Sequence, residues 1–313
     1  MKRIQLIDVT QKKSPPQPKR VEGKPWKNWS LPTVEFTTNI PKRGCPVDCV
    51  FCPQRVLTKN YNEVELMSLE NFKAMVDKLP PGYHIAFSGF TEPWVNKHCS
   101  DMVLYASEKG HPVSVFTTAV GMTLEDVDKI KDVPFASEGN DVGFVLHLPD
   151  QERLAKHPIT KLYKKVVEKL WEHRDTISNF KVMSMGTVHE DFKHLWDFNM
   201  THKMYSRADN LEKEKLLKPE LYEHGWHWAT NPESEAITCG REYNHLYGQV
   251  ILPNGDVSLC CQDYGLDHIL GNLLIHDFEQ VIPEEFSCFE LCRKCENGVN
   301  LRDINVTYLA NNS

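Results

Sequence analysis

The sequence predicts an α/β fold, in which a parallel β-sheet is covered by helices and followed by a smaller cysteine-rich module. Short runs rich in β-branched and aromatic residues alternate with amphipathic helical stretches from Pro32 to about Asp209. Such alternation is typical of parallel sheets with helices packed outside them. Beyond that point the alternation ends, and six cysteines follow. We therefore expect a flexible N-terminal arm (1–31), a core domain (32–209) and a cysteine-bearing module (210–313).

The core domain is predicted to contain six strands and five helices. In the first helix, for example, apolar residues recur at i, i+3, i+4 and i+7 from Phe72 to Leu79, which places them on one face. Six strands are too few for a closed eight-stranded barrel, so a partial barrel or an open α/β sheet remains. The predicted strands are Val34–Thr38, Tyr83–Ser88, Val113–Thr117, Val142–Leu148, Phe180–Met185 and Lys203–Ser206. The predicted helices are Leu69–Leu79, Ser100–Lys109, Leu124–Lys131, Thr160–Glu172 and Glu190–Phe198.

A β-hairpin is predicted inside the C-terminal module, with strands at Tyr247–Leu252 and Asp256–Cys260. The residues between them end in Asn254-Gly255, a pair that readily adopts the positive φ angles of a type I′ turn. The sequence therefore predicts a tight hairpin among the C-terminal cysteines.

Composition and charge exclude several classes of function. The chain of 313 residues is 41% hydrophobic and has a net charge of −7, which suits a globular enzyme and argues against a nucleic-acid binder. No apolar run is long enough to cross a membrane, and the polar N-terminus resembles no signal peptide. We therefore expect a cytoplasmic protein that binds neither membranes nor nucleic acids. Its clustered cysteines would be reduced and able to bind metal.

Three cysteines lie close together after the first predicted strand, in the order Cys45-x3-Cys49-x2-Cys52. Thiolates at this spacing, in a loop that also contains glycine and proline, can converge on one centre. A 4Fe–4S cluster is normally held by four cysteines, so three ligands leave one iron open. Zinc is the alternative, but structural zinc sites prefer four ligands. The spacing therefore favours an iron–sulfur cluster.

The pattern C-x3-C-x-aromatic-C, with Phe51 as the aromatic residue, resembles the signature of the radical S-adenosylmethionine (SAM) superfamily. The resemblance implies a partial (β/α)6 barrel and a 4Fe–4S cluster held by Cys45, Cys49 and Cys52. In that family the open iron binds the amino and carboxylate groups of SAM. Reduction then splits SAM into methionine and a 5′-deoxyadenosyl radical, which abstracts hydrogen from the substrate. An electron donor such as flavodoxin or ferredoxin is also implied.

A second motif agrees with this resemblance. Residues 88–93 read Ser-Gly-Phe-Thr-Glu-Pro and are similar to the Gly-Gly-Glu motif of the family, although the third and fourth residues depart from it. Here Ser88 and Gly89 would approach SAM closely, and the Glu92 carboxylate would accept hydrogen bonds from its ammonium group. Thr117 and His147, in the third and fourth strands, are also assigned to SAM. A structural threonine and a hydrogen-bonded core histidine are the alternatives for these two residues.

Four C-terminal cysteines are assigned to a second cluster. The spacing of Cys239, Gly255 and Cys260, followed by Cys292-x2-Cys295, resembles the twitch and SPASM modules that follow many radical SAM domains. In these modules a hairpin and a short helix carry an auxiliary 4Fe–4S cluster. The resemblance implies Cys239, Cys260, Cys292 and Cys295 as its ligands, with a zinc ribbon as the alternative.

Two C-terminal cysteines are left over, because six cannot supply two fully ligated clusters. Adjacent residues on a strand point to opposite faces, so we expect Cys261 to face away from the cluster at Cys260. Cys288 is an alternative to Cys292 as a ligand.

Two reactions are compatible with these features. One is the oxidation of an alcohol or amine of a small sugar-like molecule, with the auxiliary cluster as electron acceptor. The other is peptide modification by epimerisation or crosslinking, with Cys261 or Cys288 as a hydrogen donor. No general base is identified, but four acidic or histidine side chains follow the carboxyl ends of strands. These are Asp150, Glu152, His189 and Glu190.

Overall fold

A computed structural model gives the structure of the chain. It describes residues 32–136, 143–195, 203–204, 207–208, 210–211, 227–228, 236–239, 248–282, 289–295 and 298–300. The predicted N-terminal arm (1–31) lies outside these residues. No helix in the described part of the chain is long and apolar enough to span a bilayer.

Twelve strands and six α-helices are present in the described residues. The strands are β1 Thr33–Phe36, β2 His84–Phe87, β3 Val113–Thr117, β4 Phe144–His147, β5 Phe180–Met183, β6 Lys203–Met204, β7 His227–Trp228, β8 Ala236–Cys239, β9 Gln249–Ile251, β10 Asp256–Ser258, β11 Ile269–Asn272 and β12 Gly298–Asn300. The helices are α1 Gln54–Asn60, α2 Leu69–Val76, α3 Cys99–Glu108, α4 Leu124–Ile130, α5 Lys161–Glu172 and α6 Glu290–Lys294.

The central feature is an eight-stranded sheet with the order β11-β10-β9-β1-β2-β3-β4-β5. Strands β1 to β5 pair in parallel with their neighbours, and β9 pairs in parallel with β1. Only β10 runs antiparallel to its two neighbours. The predicted α/β fold with a parallel-rich sheet is therefore confirmed.

The helices α2 to α5 pack against one face of this sheet. Alternate residues of each strand point to this face; in β1 they are Val34 and Phe36, which are fully buried in the main hydrophobic core. The other face carries more polar residues. By strand register it includes Glu35 on β1, Ser114 on β3 and Lys181 on β5. The sheet thus has an apolar face that drives folding and a polar face that is available for other roles.

Side-chain caps explain where three of the predicted helices begin. The Ser68 hydroxyl accepts a hydrogen bond from the Asn71 N–H at the start of α2. Thr123 and Asp126 form a reciprocal capping box at the start of α4. Thr160 caps α5 in the same way as Ser68 caps α2. Each cap satisfies a backbone N–H that the helix itself leaves without a partner.

Two predicted elements of the core domain differ from the structure. The sixth predicted strand is Lys203–Ser206, of which the structure describes Lys203–Met204; these residues pair in parallel with His227–Trp228 in a separate two-stranded sheet. Local hydrophobic patterns specify an extended segment but not its partner, which tertiary packing selects. The predicted helix at Glu190–Phe198 is a 3-10 helix over Glu190–Leu195 in its described part. Its three-residue period buries Phe192 and Leu195, which are three apart.

The predicted hairpin is present as β9 and β10, but its turn is not type I′. Of the residues between the strands only Gly255 has a positive φ, and its N–H donates to the Leu252 carbonyl. Pro253 explains the difference, because its ring holds φ near the value that the second position of an ordinary turn requires. The hairpin also extends the main sheet through the pairing of β9 with β1.

Lys78, just after α2, fastens the C-terminal part of the sheet to the core. Its Nζ lies 2.8, 3.3 and 2.9 Å from the carbonyl oxygens of Leu273, Leu274 and His276.

We predict that Lys78→Met lowers the free energy of unfolding by about 1–2 kcal/mol, since charged donors contribute more than neutral ones. Urea denaturation measures this, with Lys59→Met on an exposed helix position as the control. Equal effects of the two substitutions would contradict the prediction.

Candidate active site at the carboxyl ends of the parallel strands

Most of the site residues predicted in the core domain lie at one edge of the sheet. The cysteine loop follows β1, residues 88–93 follow β2, Thr117 ends β3 and His147 ends β4. Because these strands are parallel, their carboxyl ends lie side by side. In open α/β sheets and barrels this is the edge where ligands bind.

The cysteine loop is a series of tight turns. The Gly44 N–H donates to the Pro41 carbonyl at 2.8 Å, and the Cys52 N–H donates to the Cys49 carbonyl at 3.1 Å. Asp48 has a φ of 41°, and its N–H donates to the Cys45 carbonyl. All three thiols are free and half-buried. The turns keep the three cysteines together within a few residues of one another.

The loop after β4 holds the cysteine loop in place. The Val50 N–H donates to the Leu154 carbonyl at 2.8 Å, and the Lys156 N–H donates to the Val47 carbonyl at 2.7 Å. Asp150 shapes this second loop, because its buried carboxylate accepts hydrogen bonds from Leu154 N–H at 2.7 Å and from Ala155 N–H at 3.2 Å. Asp150, a candidate general base in the sequence analysis, therefore has a structural role in holding the loop after β4.

The remaining base candidates also lie in the loops after β4 and β5. The Glu152 carboxylate accepts hydrogen bonds from the N–H of Thr187 at 2.9 Å and from its hydroxyl at 2.7 Å. His189 lies 3.5 Å from the carboxylate of Asp191, and Glu190 is exposed. These positions leave the general base unassigned.

Burial and neighbouring negative groups act on the cysteine thiols. Burial raises the pKa of Cys45 to about 11, and it raises the pKa of Cys49 well above the ordinary value. The negative charge of Cys52 raises both pKa values further, as does that of the Glu92 carboxylate, whereas backbone hydrogen bonds from Val47 and Glu92 lower the pKa of Cys45. These effects require the three sulfurs to be near one another, which suits a group that binds three thiolates and supplies positive charge.

Two side chains that the sequence analysis did not single out contact Cys52. The Gln54 amide nitrogen lies 3.2 Å from the Cys52 sulfur and 2.5 Å from the Phe90 carbonyl oxygen. The Gln54 amide oxygen accepts a hydrogen bond from the Cys45 N–H at 3.0 Å. The Tyr264 hydroxyl, from the segment after β10, lies 3.3 Å from the same sulfur. Only the position of Gln54, two residues after the last cysteine, was a signal in the sequence.

The turn at Ser88 and Gly89 is bound to Glu35 on β1. The Ser88 hydroxyl and the Gly89 N–H both donate to the same carboxylate oxygen of Glu35, at 2.8 and 3.1 Å. Gly89 has a φ of 72°, and a Cβ at this position would lie 2.1 Å from the Thr37 hydroxyl. Only glycine fits there, because the backbone passes so close to Thr37 after β1.

The Glu92 carboxylate is buried and makes four hydrogen bonds within the protein. One oxygen accepts from the Thr117 hydroxyl at 2.6 Å and from the Trp94 N–H at 3.2 Å. The other accepts from the Thr118 N–H at 2.7 Å and from its hydroxyl at 2.6 Å. Burial raises the pKa of Glu92, whereas these donors lower it. Four bonds match the approximate acceptor capacity of a carboxylate, so Glu92 joins the ends of β2 and β3.

His147 lies next to the cysteine loop. Its ring centroid is 6.3 Å from that of Phe51 and 5.3 Å from that of His157. The His157 ring nitrogen lies 3.0 Å from the His147 carbonyl oxygen. The structure thus places His147 and Phe51, the aromatic residue of the cysteine motif, side by side.

The C-terminal cysteines form a second buried group. Cys260, Cys292 and Cys295 pack in one apolar cluster with Leu259 and Phe289. Burial raises the pKa of Cys260 well above the ordinary value, and the nearby cysteines add to this effect.

The other three C-terminal cysteines differ in position. The backbone of Cys239, on β8, pairs with Gly298, three residues after Cys295. Cys261 packs in a different apolar cluster from Cys260, although both residues follow β10, which ends at Ser258. Cys288 lies outside the described residues.

Among the described residues, no group of three His, Cys, Asp or Glu side chains is placed to hold a single metal ion. In a 4Fe–4S cluster each cysteine binds its own iron. The ligands therefore stand farther apart than the ligands of one ion.

We predict that Glu92→Gln lowers the free energy of unfolding by about 1–3 kcal/mol, because an amide nitrogen would face N–H and O–H donors in place of an acceptor. Urea denaturation measures the loss. Glu63→Gln, the same change at an exposed position, is the control. Equal stability of the two variants would show that the Glu92 carboxylate is not needed to hold β2 and β3 together.

Comparison with known proteins agrees with this architecture. Solved structures with a similar fold include BtrN in complex with AdoMet and 2-DOIA, with 14% identity, a TM-score of 0.51 and coverage of 81% of this chain and 82% of that one. Native anSMEcpe with bound AdoMet has 13% identity, a TM-score of 0.50 and coverage of 85% and 88%. Streptococcus suis SuiB bound to precursor peptide SuiA has 11% identity, a TM-score of 0.52 and coverage of 84% and 69%. At these identities the likeness shows the fold alone.

The chain matches none of the curated protein sequences with which it was compared. The family model described as the Radical SAM superfamily, however, matches residues 39–198, about half of the chain. This range contains the cysteine loop, residues 88–93, Thr117 and His147. Membership of that family implies a 4Fe–4S cluster and SAM, and three free cysteines within one hydrogen-bonded loop suit such a cluster. The chain therefore belongs to the radical SAM superfamily of enzymes.

Proposed function

We propose that the chain is a radical SAM oxidoreductase that oxidises an alcohol or amine of a small, sugar-like molecule. The observation that carries this proposal is the placement of Cys45, Cys49 and Cys52 in one loop, which is hydrogen-bonded to the loop after β4. The cysteine loop lies at the edge of the sheet where the loops after β2, β3 and β4 also begin.

In the proposed site Cys45, Cys49 and Cys52 hold the first 4Fe–4S cluster. When bound and reduced, this cluster supplies the electron that cleaves SAM to methionine and a 5′-deoxyadenosyl radical. The neighbouring loops contribute the SAM site. Its proposed residues are Ser88, Gly89, Glu92, Thr117 and His147. For Glu92 this role competes with its four internal hydrogen bonds.

The second cysteine group supports an auxiliary 4Fe–4S cluster. Its proposed ligands are Cys239, Cys260, Cys292 and Cys295, within a twitch/SPASM-like module at 210–313. Three of them pack together, and the backbone of the fourth is on the strand that pairs next to Cys295. In the proposed oxidation the substrate loses a hydrogen atom to the 5′-deoxyadenosyl radical. A base would then take a proton, and the auxiliary cluster, held by these four cysteines, would provide the acceptor for the remaining electron. A donor such as flavodoxin or ferredoxin would supply the first electron.

The polar face of the sheet supports a small polar substrate. Glu35, Ser114 and Lys181 point to this face by register, and Glu35 also contacts the loop after β2. The hydroxyl of Ser114 is buried without a hydrogen-bond partner among the described residues. Buried polar groups normally have such partners, so a bound molecule with hydroxyl or amino groups would suit this face.

Peptide modification, by epimerisation or crosslinking, is the second candidate function. It is favoured by the likeness to SuiB, which was solved with a precursor peptide. The two functions differ in which substrate changes: the proposed oxidation removes two hydrogen atoms from a sugar, whereas epimerisation leaves the mass of a peptide unchanged and crosslinking removes two hydrogen atoms from a peptide. Incubating the reduced enzyme with SAM and either amino sugars or peptides, followed by mass spectrometry, distinguishes them. Loss of two hydrogen atoms from a sugar would support the first candidate, and a modified peptide with unchanged sugars would replace it.

Iron analysis tests the two proposed clusters. After anaerobic reconstitution we predict about eight irons per wild-type chain, because each cluster contains four. The triple variant Cys45→Ala/Cys49→Ala/Cys52→Ala should retain about four, held by the C-terminal group. Cys99→Ala, which removes a buried cysteine outside both groups, is the control and should retain the wild-type content.

The same samples separate the alternatives. Wild-type protein with about four irons, and none in the triple variant, would remove the auxiliary electron acceptor and contradict the proposed oxidation. Zinc in the triple variant would identify the C-terminal group as a zinc ribbon. Production of 5′-deoxyadenosine by reduced wild type, and its loss in the triple variant, is expected from the first cluster.

A further inference from the structure

Cys52 has polar side-chain contacts at its sulfur. The Gln54 amide approaches it from α1, immediately after the cysteine loop. The Tyr264 hydroxyl approaches it from the segment after β10, which lies 212 residues away in sequence. The second contact joins the C-terminal segment to the loop that carries the proposed first cluster.

Tyr264 is held in position independently of this contact. The side chain is 4% exposed, and its ring packs edge-on against Phe90 with a centroid distance of 4.8 Å. The turn that carries it is organised by Asp263, which is fully buried. The Asp263 carboxylate accepts hydrogen bonds from the N–H groups of Asp267 and His268, at 3.2 and 3.0 Å. The hydroxyl is therefore aimed at Cys52 by the surrounding structure.

The direction of this hydrogen bond follows from the chemistry of the sulfur. A free thiol and a phenol can each donate to the other. A thiolate bound to iron has no proton, however, so it can only accept. With Cys52 as a ligand, the Tyr264 O–H must be the donor. A hydrogen bond to a ligand sulfur withdraws electron density from the cluster and favours its reduced, more negative form.

We propose that Tyr264 is a positioning residue of the first cluster, whose hydrogen bond to Cys52 raises the reduction potential of that cluster. This inference rests on the proposed assignment of Cys52 as a ligand. It means that a residue of the C-terminal segment controls how readily the first cluster accepts the electron that starts the reaction. Folding of that segment and reducibility of the cluster are thus linked.

The test is a redox titration of the full, reconstituted chain without SAM, followed by electron paramagnetic resonance. Tyr264→Phe removes the hydroxyl and keeps the ring. We expect it to weaken reduction of the first cluster by about tenfold, which for one electron is a shift of about 59 mV to lower potential. Tyr61→Phe is the control, because Tyr61 lies in the same apolar cluster and its hydroxyl donates to the Val64 carbonyl.

A second substitution keeps the experiment decisive if Tyr264→Phe does not assemble a cluster. 3-Fluorotyrosine at position 264 retains the hydroxyl and makes it a stronger donor, so we expect a shift to higher potential. Unchanged potentials in both variants would overturn the inference.

The same measurement tests the assignment of Cys52 as a cluster ligand separately from the role of Tyr264. The signal of the first cluster should be present in wild type and absent from Cys52→Ala. If it is absent from wild type, the assignment of Cys52 and this inference both fail. If it is present and insensitive to position 264, only this inference fails.

Discussion

Strand β1 is paired in parallel on both sides, with β2 on one side and β9 on the other, and the remaining architecture depends on this pairing. Because the three strands run in the same direction, the segments that follow them meet at one edge of the sheet. The cysteine loop follows β1, and residues 88–93 follow β2. The hairpin of β9 and β10 is added to the sheet by the pairing of β9 with β1, and the segment after the antiparallel strand β10 carries Tyr264. The contact of Tyr264 with Cys52 then joins parts of the chain that are 212 residues apart.

Three carboxylates hold the loops at this edge. Glu35 binds the Ser88–Gly89 turn, Glu92 binds the end of β3, and Asp150 binds the loop that supports the cysteines. Each accepts at least one backbone N–H, which would otherwise be buried without a partner or exposed to water. The edge is therefore shaped before any ligand binds.

The adjacent cysteines 260 and 261 connect the two cysteine groups. Cys260 packs with Cys292 and Cys295, whereas Cys261 packs in the apolar cluster that also includes Cys52 and Tyr264. The C-terminal segment, predicted from sequence as a separate module, thus contributes strands to the main sheet and a contact to the first cysteine loop.

The sequence by itself determined most elements of the core domain and the family of the chain. Alternating patterns located β1 to β5 and most helices, because burial of one face imposes a period on the chain. The spacing of Cys45, Cys49 and Cys52 indicated the family, because these three ligands lie within one short stretch of sequence. Tertiary structure decided the partners: Lys203–Met204 left the main sheet, the hairpin joined it, and Glu92 turned inward. These outcomes depend on contacts between distant segments, which no local pattern encodes.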